Sequence, residues 1–209
     1  MWQKHKAFWL QKSFLASVGI GLVLLVGSLF ANYYANSYIS THASNYVTDL
    51  FLDNLPVVDV HLIFSEGAAL FFIVLIAILL FEPKYIPFAL KSIAMFILVR
   101  SFFLILTHTA PPPNEIYINP TDFIARLSSG DDLFFSGHTG LPFLMAFVFW
   151  EQKTLKYFFI FCTAVGAVAV LLGHLHYSID VFSALFISFG IFHICKNLFP
   201  KDYRLATKA

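Results

Sequence analysis

The amino-acid sequence predicts an all-α membrane protein that crosses the bilayer six times as a single domain over residues 1–209. Hydrophobic residues make up 59% of the chain and charged residues only 12%, a balance far from that of soluble proteins. Apolar runs of roughly 20 residues, long enough to cross about 30 Å of hydrocarbon as a helix, recur along the chain. Lysines gather at alternate connections between these runs, as they do in cytoplasmic loops.

We predict six spans, each ended by polar residues or by prolines, which interrupt a helix. The first run is also compatible with a secretory signal, because lysines precede it and small residues follow it, but it is long for that role. The fourth run is short and needs an extension or a tilt to cross. The predicted spans are residues 14–30, 61–81, 86–107, 137–150, 157–172 and 179–195.

Positive charge predicts the orientation, because Lys and Arg remain on the cytoplasmic side. With the N-terminus inside, every Lys and Arg except Arg100 and Arg126 lies in or beside an inner segment. Both termini are then cytoplasmic, with residues 1–12 as a short leading segment and residues 196–209 as a basic tail. The chain resembles a bacterial inner-membrane protein, whose outer face is periplasmic. It has no Lys/Arg-rich block, so nucleic acid is not an expected partner.

Two polar islands interrupt the apolar chain. The first, residues 130–139, reads G-D-D-L-F-F-S-G-H-T, and the second, residues 174–180, reads H-L-H-Y-S-I-D. Two predicted crossings separate His138 from His176, so both islands are expected at the outer face. Ionisable side chains at membrane depth are costly and usually mark a functional site. We therefore expect the two islands to share one site.

In the second island, His176 and Asp180 are four residues apart, so a helix that included both would place them on one face. The Asp180 carboxylate would then accept the Nδ1 proton of His176 and leave Nε2 as a nucleophile or a base. The plain structural explanation is a His–Asp pair that only caps the helix.

In the first island, Ser136 suits a helix N-cap and Gly137 permits close approach, so the N–H groups of the next turn would form a cradle for phosphate. His138 would donate a proton there to a leaving-group oxygen. The plain structural explanation is an ordinary cap with a surface histidine. Arg100 is expected to meet the phosphate charge in preference to Arg126, because an intramembrane Arg needs an anionic partner; otherwise it snorkels to lipid headgroups.

These residues carry a resemblance to a known family. The sequence S-G-H-T from Ser136, with Asp132 four residues before it, and H-Y-S-I-D-V-F-S-A from His176 resemble the two signature motifs of the sphingomyelin synthase family. That family lies within the type-2 phosphatidic acid phosphatase superfamily. The resemblance extends more weakly to residues 55–59 and to Arg100 with the segment that follows it. It implies six transmembrane helices, an outward-facing active site, and no metal or other cofactor.

The resemblance also implies roles for individual residues. His176 is the nucleophile that becomes a phosphohistidine, and Asp180 orients it. His138 is the acid for the departing alcohol and the base for the incoming one. Asp132 matches the acid that precedes the first motif. The expected substrate-binding residues are Arg100, Asp132, Ser136 and Gly137.

The sequence departs from the family pattern at several positions. Gly130 and Asp131 occupy positions where the motif of the eukaryotic synthases resembles the dipeptide Cys-Gly. Ser178 occupies a position where they usually have Thr. Val170 occupies the position of an Arg with which the broader superfamily holds phosphate. The missing cation increases the expected importance of Arg100.

The leading functional hypothesis is a lipid phosphotransferase. It would move a phospho-headgroup within the bilayer from a phospholipid donor to a lipid alcohol such as ceramide or diacylglycerol. A lipid phosphate phosphatase, with water as the acceptor, needs the same residues. Two hypotheses of a different class are a non-catalytic lipid-binding scaffold and a metal transporter with His138, His174, His176 and Asp180 as zinc ligands. Glu66 is a possible neighbour of the site, and His174 is not expected to be catalytic.

Overall fold

The computed structural model describes residues 7–42, 44–116 and 134–207, and this part of the chain is helical with no strand. The all-α fold class is therefore confirmed. Short turns of π-helix and 3-10 helix precede the second and third α-helices. The α-helices are α1 Lys12–His42, α2 Gly67–Phe81, α3 Ile86–Leu106, α4 Gly137–Val148, α5 Lys153–Leu172, α6 Ser178–Leu198 and α7 Pro200–Thr207; the π-turn is Leu62–Glu66 and the 3-10 turn Pro83–Tyr85.

Within the described residues, five helical segments are long and apolar enough to cross a membrane, which indicates an integral membrane protein. They are α1, α5, α6 and the two segments that combine a short turn with α2 or α3. Helix α4, the fourth predicted span, has only 12 residues, or about 18 Å at the helical rise. Because that is shorter than the hydrocarbon layer, the six-span count and the orientation of the termini stay predictions.

Helix α1 is much longer than its predicted span of residues 14–30, since it continues to His42. The prediction stopped where the sequence becomes polar and aromatic, but packing sustains the helix beyond that point. Ala35 and Ile39 form a small buried cluster with Leu104 near the end of α3. Tertiary contact with α3 therefore outweighs the weaker helical pattern of this stretch.

Helix α4 lies in the centre of the largest apolar cluster, which explains why a short helix can be so deeply buried. Leu144 and Met145 are fully buried and pack in this cluster with aromatic rings from α3 and α5. At Gly140 a Cβ would lie 2.8 Å from the Phe96 ring and 2.9 Å from the Ser188 hydroxyl. The same hydroxyl donates a 2.9 Å hydrogen bond to the Gly140 carbonyl, so α4 and α6 are joined at close range.

The chain connections divide the bundle into two chemically different ends. At one end the α2–α3 and α4–α5 connections meet, with the Tyr85 and Phe149 rings 4.5 Å apart. This end is basic and carries α7. A buried cluster ties it together: Lys91 Nζ donates to the Asp202 carboxylate at 2.5 Å and to the Ser17 hydroxyl at 2.6 Å, and that hydroxyl donates to Asp202 at 2.6 Å. The opposite end holds the second polar island and residues 134–139 of the first.

Candidate active site

The two islands meet at that opposite end. The backbone N–H of Ser136, just before α4, donates a 3.1 Å hydrogen bond to the carbonyl of Asp180 in the first turn of α6. The His176 and Arg100 side chains lie close enough to His138 to interact with it electrostatically, and a Cβ at Gly137, the residue before His138, would be 3.9 Å from Arg100 Nε. Residues that are 38 positions apart in sequence thus converge because α4 and α5 carry the chain away and back again.

His176 does not lie on a helix, so the condition for a helical face shared with Asp180 is not met. Helix α6 begins at Ser178 with Tyr177 as its N-cap, so His176 belongs to the preceding turn. Its Nδ1 nevertheless lies 3.5 Å from Oδ2 of Asp180, and the two side chains are only 6% and 3% exposed. Asp180 Oδ2 also accepts a 3.0 Å hydrogen bond from the Tyr177 N–H. At 3.5 Å the His–Asp contact is electrostatic rather than a formed hydrogen bond.

His138 is the second residue of α4 and is held by the π-helical turn before α2. Its ring stacks on Phe64, with the centroids 4.0 Å apart. Its Nε2 lies 3.2 Å from the Phe64 carbonyl oxygen. Because a carbonyl only accepts, Nε2 carries the proton in this contact and Nδ1 is the nitrogen left for acid–base chemistry.

Ser136 stands at the predicted N-cap of α4, but within the described part of the chain its side chain makes no capping hydrogen bond. Its hydroxyl instead accepts a 3.3 Å hydrogen bond from Thr139, and it is fully buried. A Cβ at Gly137 would find Arg100 Nε at 3.9 Å, an ordinary contact distance. The first turn of α4 thus lies beside Arg100, the side chain expected to meet phosphate.

Arg100 lies on the last part of α3 and is half-buried. Its Nε donates a 2.7 Å hydrogen bond to the carbonyl of Phe135, one residue before Ser136. This contact brings a guanidinium to the start of α4, where an anion would be bound. Asp132 and Arg126, the other two predicted candidates for this part of the site, lie outside the described residues.

The sequence also singled out His174 and Glu66. His174 has a positive φ of 53° and its Nε2 lies 3.2 Å from the Leu55 carbonyl, so it packs against the segment before α2. Glu66 is exposed on the π-turn. Among the described residues, no group of three His, Cys, Asp or Glu side chains is arranged to hold a metal ion, so the four predicted zinc ligands do not form such a group.

Gly166, which was not predicted from the sequence, lies on α5 against the start of α4. A Cβ there would be 2.3 Å from the carbonyl oxygen of His138. No signal in the sequence distinguishes this glycine from the small residues found in any apolar span.

We expect Gly166→Ala to displace the first turn of α4, because the new methyl group meets rigid backbone. Overpacking of this kind costs about 1–3 kcal/mol of stability, and moving His138 should lower turnover as well. The measurement is the thermal unfolding midpoint and the specific activity of purified protein. Gly190→Ala is the matched control, since a Cβ at Gly190 meets nothing within 4 Å. Equal behaviour of the two variants would contradict the prediction.

Asp49, in the segment between α1 and the π-turn, was not predicted either. Its Oδ2 accepts hydrogen bonds from the Ser178 N–H at 2.7 Å and the Ser178 hydroxyl at 2.8 Å. Its Oδ1 accepts from the N–H groups of Phe51 and Leu52. Partial burial raises the pKa of Asp49, but these hydrogen bonds lower it more, and the pKa lies below the usual 3.8.

This lowered pKa predicts a pH dependence. The ionised Asp49 stabilises the fold above its ordinary pKa of about 4, and that contribution is lost as the pH falls through the folded-state pKa. The neighbouring titratable groups are Asp53 on the same turn and, near the start of α6, Tyr177, Asp180 and Glu115. The difference in unfolding midpoint between wild type and Asp49→Asn should therefore shrink below about pH 4. A difference that stays constant with pH would contradict this.

Comparison with known proteins adds one match. Residues 130–197, which include both islands, match a family model described as PAP2 superfamily C-terminal. No curated protein and no solved structure matches the chain. The match covers about a third of the sequence and does not distinguish the sphingomyelin synthase family. It shows that this part of the chain is similar to the C-terminal region of the type-2 phosphatidic acid phosphatase superfamily.

Proposed function

We propose that the protein is a lipid phosphotransferase, which moves a phospho-headgroup from a phospholipid donor to a lipid alcohol such as ceramide or diacylglycerol. The superfamily match supports a lipid phosphatase or phosphotransferase activity in general. The single observation that carries the proposal is the placement of a buried His176–Asp180 pair beside His138 and Arg100. This set provides a nucleophile, its orienting carboxylate, an acid–base group and a cation for the phosphate.

In the first step, His176 Nε2 attacks the phosphorus of the donor and the bond from phosphorus to the lipid-alcohol oxygen breaks. The Nδ1 proton of His176 faces Asp180, which favours the nucleophilic tautomer. Protonated His138 gives its Nδ1 proton to the departing oxygen, while its Nε2–H stays with the Phe64 carbonyl. Arg100 and the N–H groups of the first turn of α4 balance the phosphate charge.

In the second step, the hydroxyl group of the acceptor gives its proton to His138 and its oxygen attacks the phosphohistidine. The nitrogen–phosphorus bond breaks and His176 is restored. A cavity of about 200 Å³ adjoins Asp180, and its lining combines apolar residues such as Leu104 and Ile179 with the polar Thr107 and Thr109. This lining suits the hydroxyl end of a lipid alcohol.

A lipid phosphatase is the second candidate, because the superfamily match fits it equally and water would complete the same second step. Product analysis separates the two. Purified protein is incubated with ceramide or diacylglycerol and, in separate reactions, phosphatidylcholine, phosphatidylethanolamine and phosphatidic acid, and the products are identified by mass. Transfer of the headgroup to the added alcohol supports the transferase. Release of phosphate or phospho-headgroup alone contradicts the transferase and supports the phosphatase. In a separate reaction, full activity in strong chelator would exclude a metal-dependent role.

We further propose that the site faces the periplasm in a bacterial inner membrane, with both termini cytoplasmic and six crossings. The basic end of the bundle, opposite the site, supports this orientation. An impermeant maleimide added to intact spheroplasts should label an Asp53→Cys variant, because residue 53 is exposed at the end that carries the site. Labelling only after the membrane is opened would contradict the orientation.

A further inference from the structure

The turn that carries His176 is tied on both sides to segments distant in sequence. Val58 N–H donates to the Leu172 carbonyl at 2.8 Å, and Ile116 N–H donates to the Gly173 carbonyl at 3.0 Å. The position of this turn therefore depends on these outer segments as well as on α5 and α6.

The strongest of these ties involves a charge. Helix α6 begins with Tyr177 as its N-cap, but the Tyr177 hydroxyl is directed away from the helix start and donates to the Ala110 carbonyl at 2.9 Å. The Asp180 carboxylate accepts a hydrogen bond from the Tyr177 N–H. Asp49, 129 residues away from Ser178 in sequence, accepts hydrogen bonds from the Ser178 N–H and hydroxyl. A carboxylate from another segment thus satisfies a free N–H at the N-terminus of α6.

We propose that Asp49 is a positioning residue for the His176–Asp180 pair, acting through Ser178 and the first turn of α6. This inference rests on the proposed phosphotransferase function. The contact between His176 Nδ1 and Asp180 Oδ2 is 3.5 Å, at the outer limit of a hydrogen bond. A small shift of the helix start therefore decides whether the imidazole is oriented. Catalytic geometry tolerates little of this, since a displacement of about 1 Å can cost about 100-fold in rate.

The kinetic test compares wild type with Asp49→Ala and Asp49→Asn. We expect Asp49→Ala to lower kcat about 10- to 100-fold with KM changed less than about twofold, because Asp49 acts through Ser178 rather than on the substrate. Asp49→Asn keeps an oxygen that accepts from the Ser178 N–H, so its kcat should lie between those of wild type and Asp49→Ala. Asp53→Asn is the matched control: it replaces a carboxylate on the same turn whose Oδ2 accepts a 3.2 Å bond from the Asp49 N–H, and it should keep the wild-type kcat.

A double-mutant cycle with Ser178→Ala checks the route. Because the Ser178 hydroxyl donates to Asp49, the effects of the two substitutions should be less than additive. Variants that are monodisperse and folded but keep the wild-type kcat, or effects that add fully, would overturn the inference. A loss of folded protein with unchanged kcat per folded molecule would also overturn it and assign Asp49 a structural role only.

A second measurement does not require lipid activity. Diethyl pyrocarbonate modifies accessible neutral imidazoles, and peptide mass spectrometry gives the rate at His176. Since His176 is buried, its modification should be slow in wild type and in Asp53→Asn, and several-fold faster in Asp49→Ala. An unchanged rate at His176 would overturn the inference. If the wild type has no lipid activity but the modification rate at His176 rises in Asp49→Ala as expected, the phosphotransferase function is contradicted and the positioning role of Asp49 is retained.

Discussion

His176→Ala should abolish both the covalent phosphoenzyme and all turnover, the largest effect expected of any substitution. The variant has no nitrogen to attack phosphorus, and His138 is already held at the Phe64 carbonyl. Acid-labile phosphate on the protein, measured after incubation with a radiolabelled donor, reports the first step, and product formation reports the whole cycle. Residual activity in this variant above the uncatalysed rate would show that His176 is not the nucleophile.

Substitution of the residues beside His176 should reduce activity in different ways. Asp180→Asn keeps the size of the side chain but removes the charge that selects the tautomer of His176. An imidazole in the wrong tautomer lowers turnover on the order of a thousandfold or more. His138→Ala should still accumulate some phosphoenzyme from a donor with a good leaving group. His193→Ala is the control for histidine loss, since His193 is exposed on the same helix as Asp180 and packs on Phe189. Wild-type turnover in Asp180→Asn or His138→Ala would contradict the assigned roles.

The second large effect concerns stability and lies at the opposite end of the bundle. Lys91 and Asp202 are 4% and 8% exposed and are joined at 2.5 Å. Removing only one of two buried partners leaves an uncompensated charge and costs about 3–5 kcal/mol. We therefore expect Asp202→Leu to lower the thermal unfolding midpoint steeply and to release α7 from α1 and α3.

The reciprocal substitution separates charge from packing. In Lys91→Met with Asp202→Leu, neither charge of the pair remains, so much of the lost stability should return. Lys201→Met is the control, because Lys201 is exposed on α7 and should shift the midpoint little. Equal losses in Asp202→Leu and in the double variant would show that the contribution of the cluster comes from shape rather than from charge.

The sequence predicted the helical class and the proximity of His138 to His176, because both depend on the pattern of apolar runs and on the number of runs between the two histidines. Hydrophobic runs mark helices directly, and two helices, α4 and α5, return the chain from His138 to the end where His176 lies. The 12-residue length of α4 and the extension of α1 depend on packing between distant segments, which periodicity does not encode. His176 and Asp180 do not share a helical face, because the helix begins after His176, at Ser178.

The residues that the sequence did not identify have in common that they act through their backbone or across long separations. Phe64 contributes a carbonyl oxygen and one ring among 26 phenylalanines. Gly166 matters for the atom that it lacks, and Asp49 contacts Ser178 from 129 residues away. A single sequence carries no pairwise information of this kind, so only the three-dimensional arrangement reveals them.

The π-helical turn Leu62–Glu66 has a consequence for how such a site can arise by insertion. A turn that closes five residues on, as Gly67 N–H does on the Leu62 carbonyl, holds one more residue than an α-helical turn. Deleting one residue there would let the turn wind as ordinary α-helix, leave α2 in register, and rotate the Phe64 carbonyl away from His138. The acceptor that orients a histidine 74 residues downstream therefore lies in a turn that holds one extra residue.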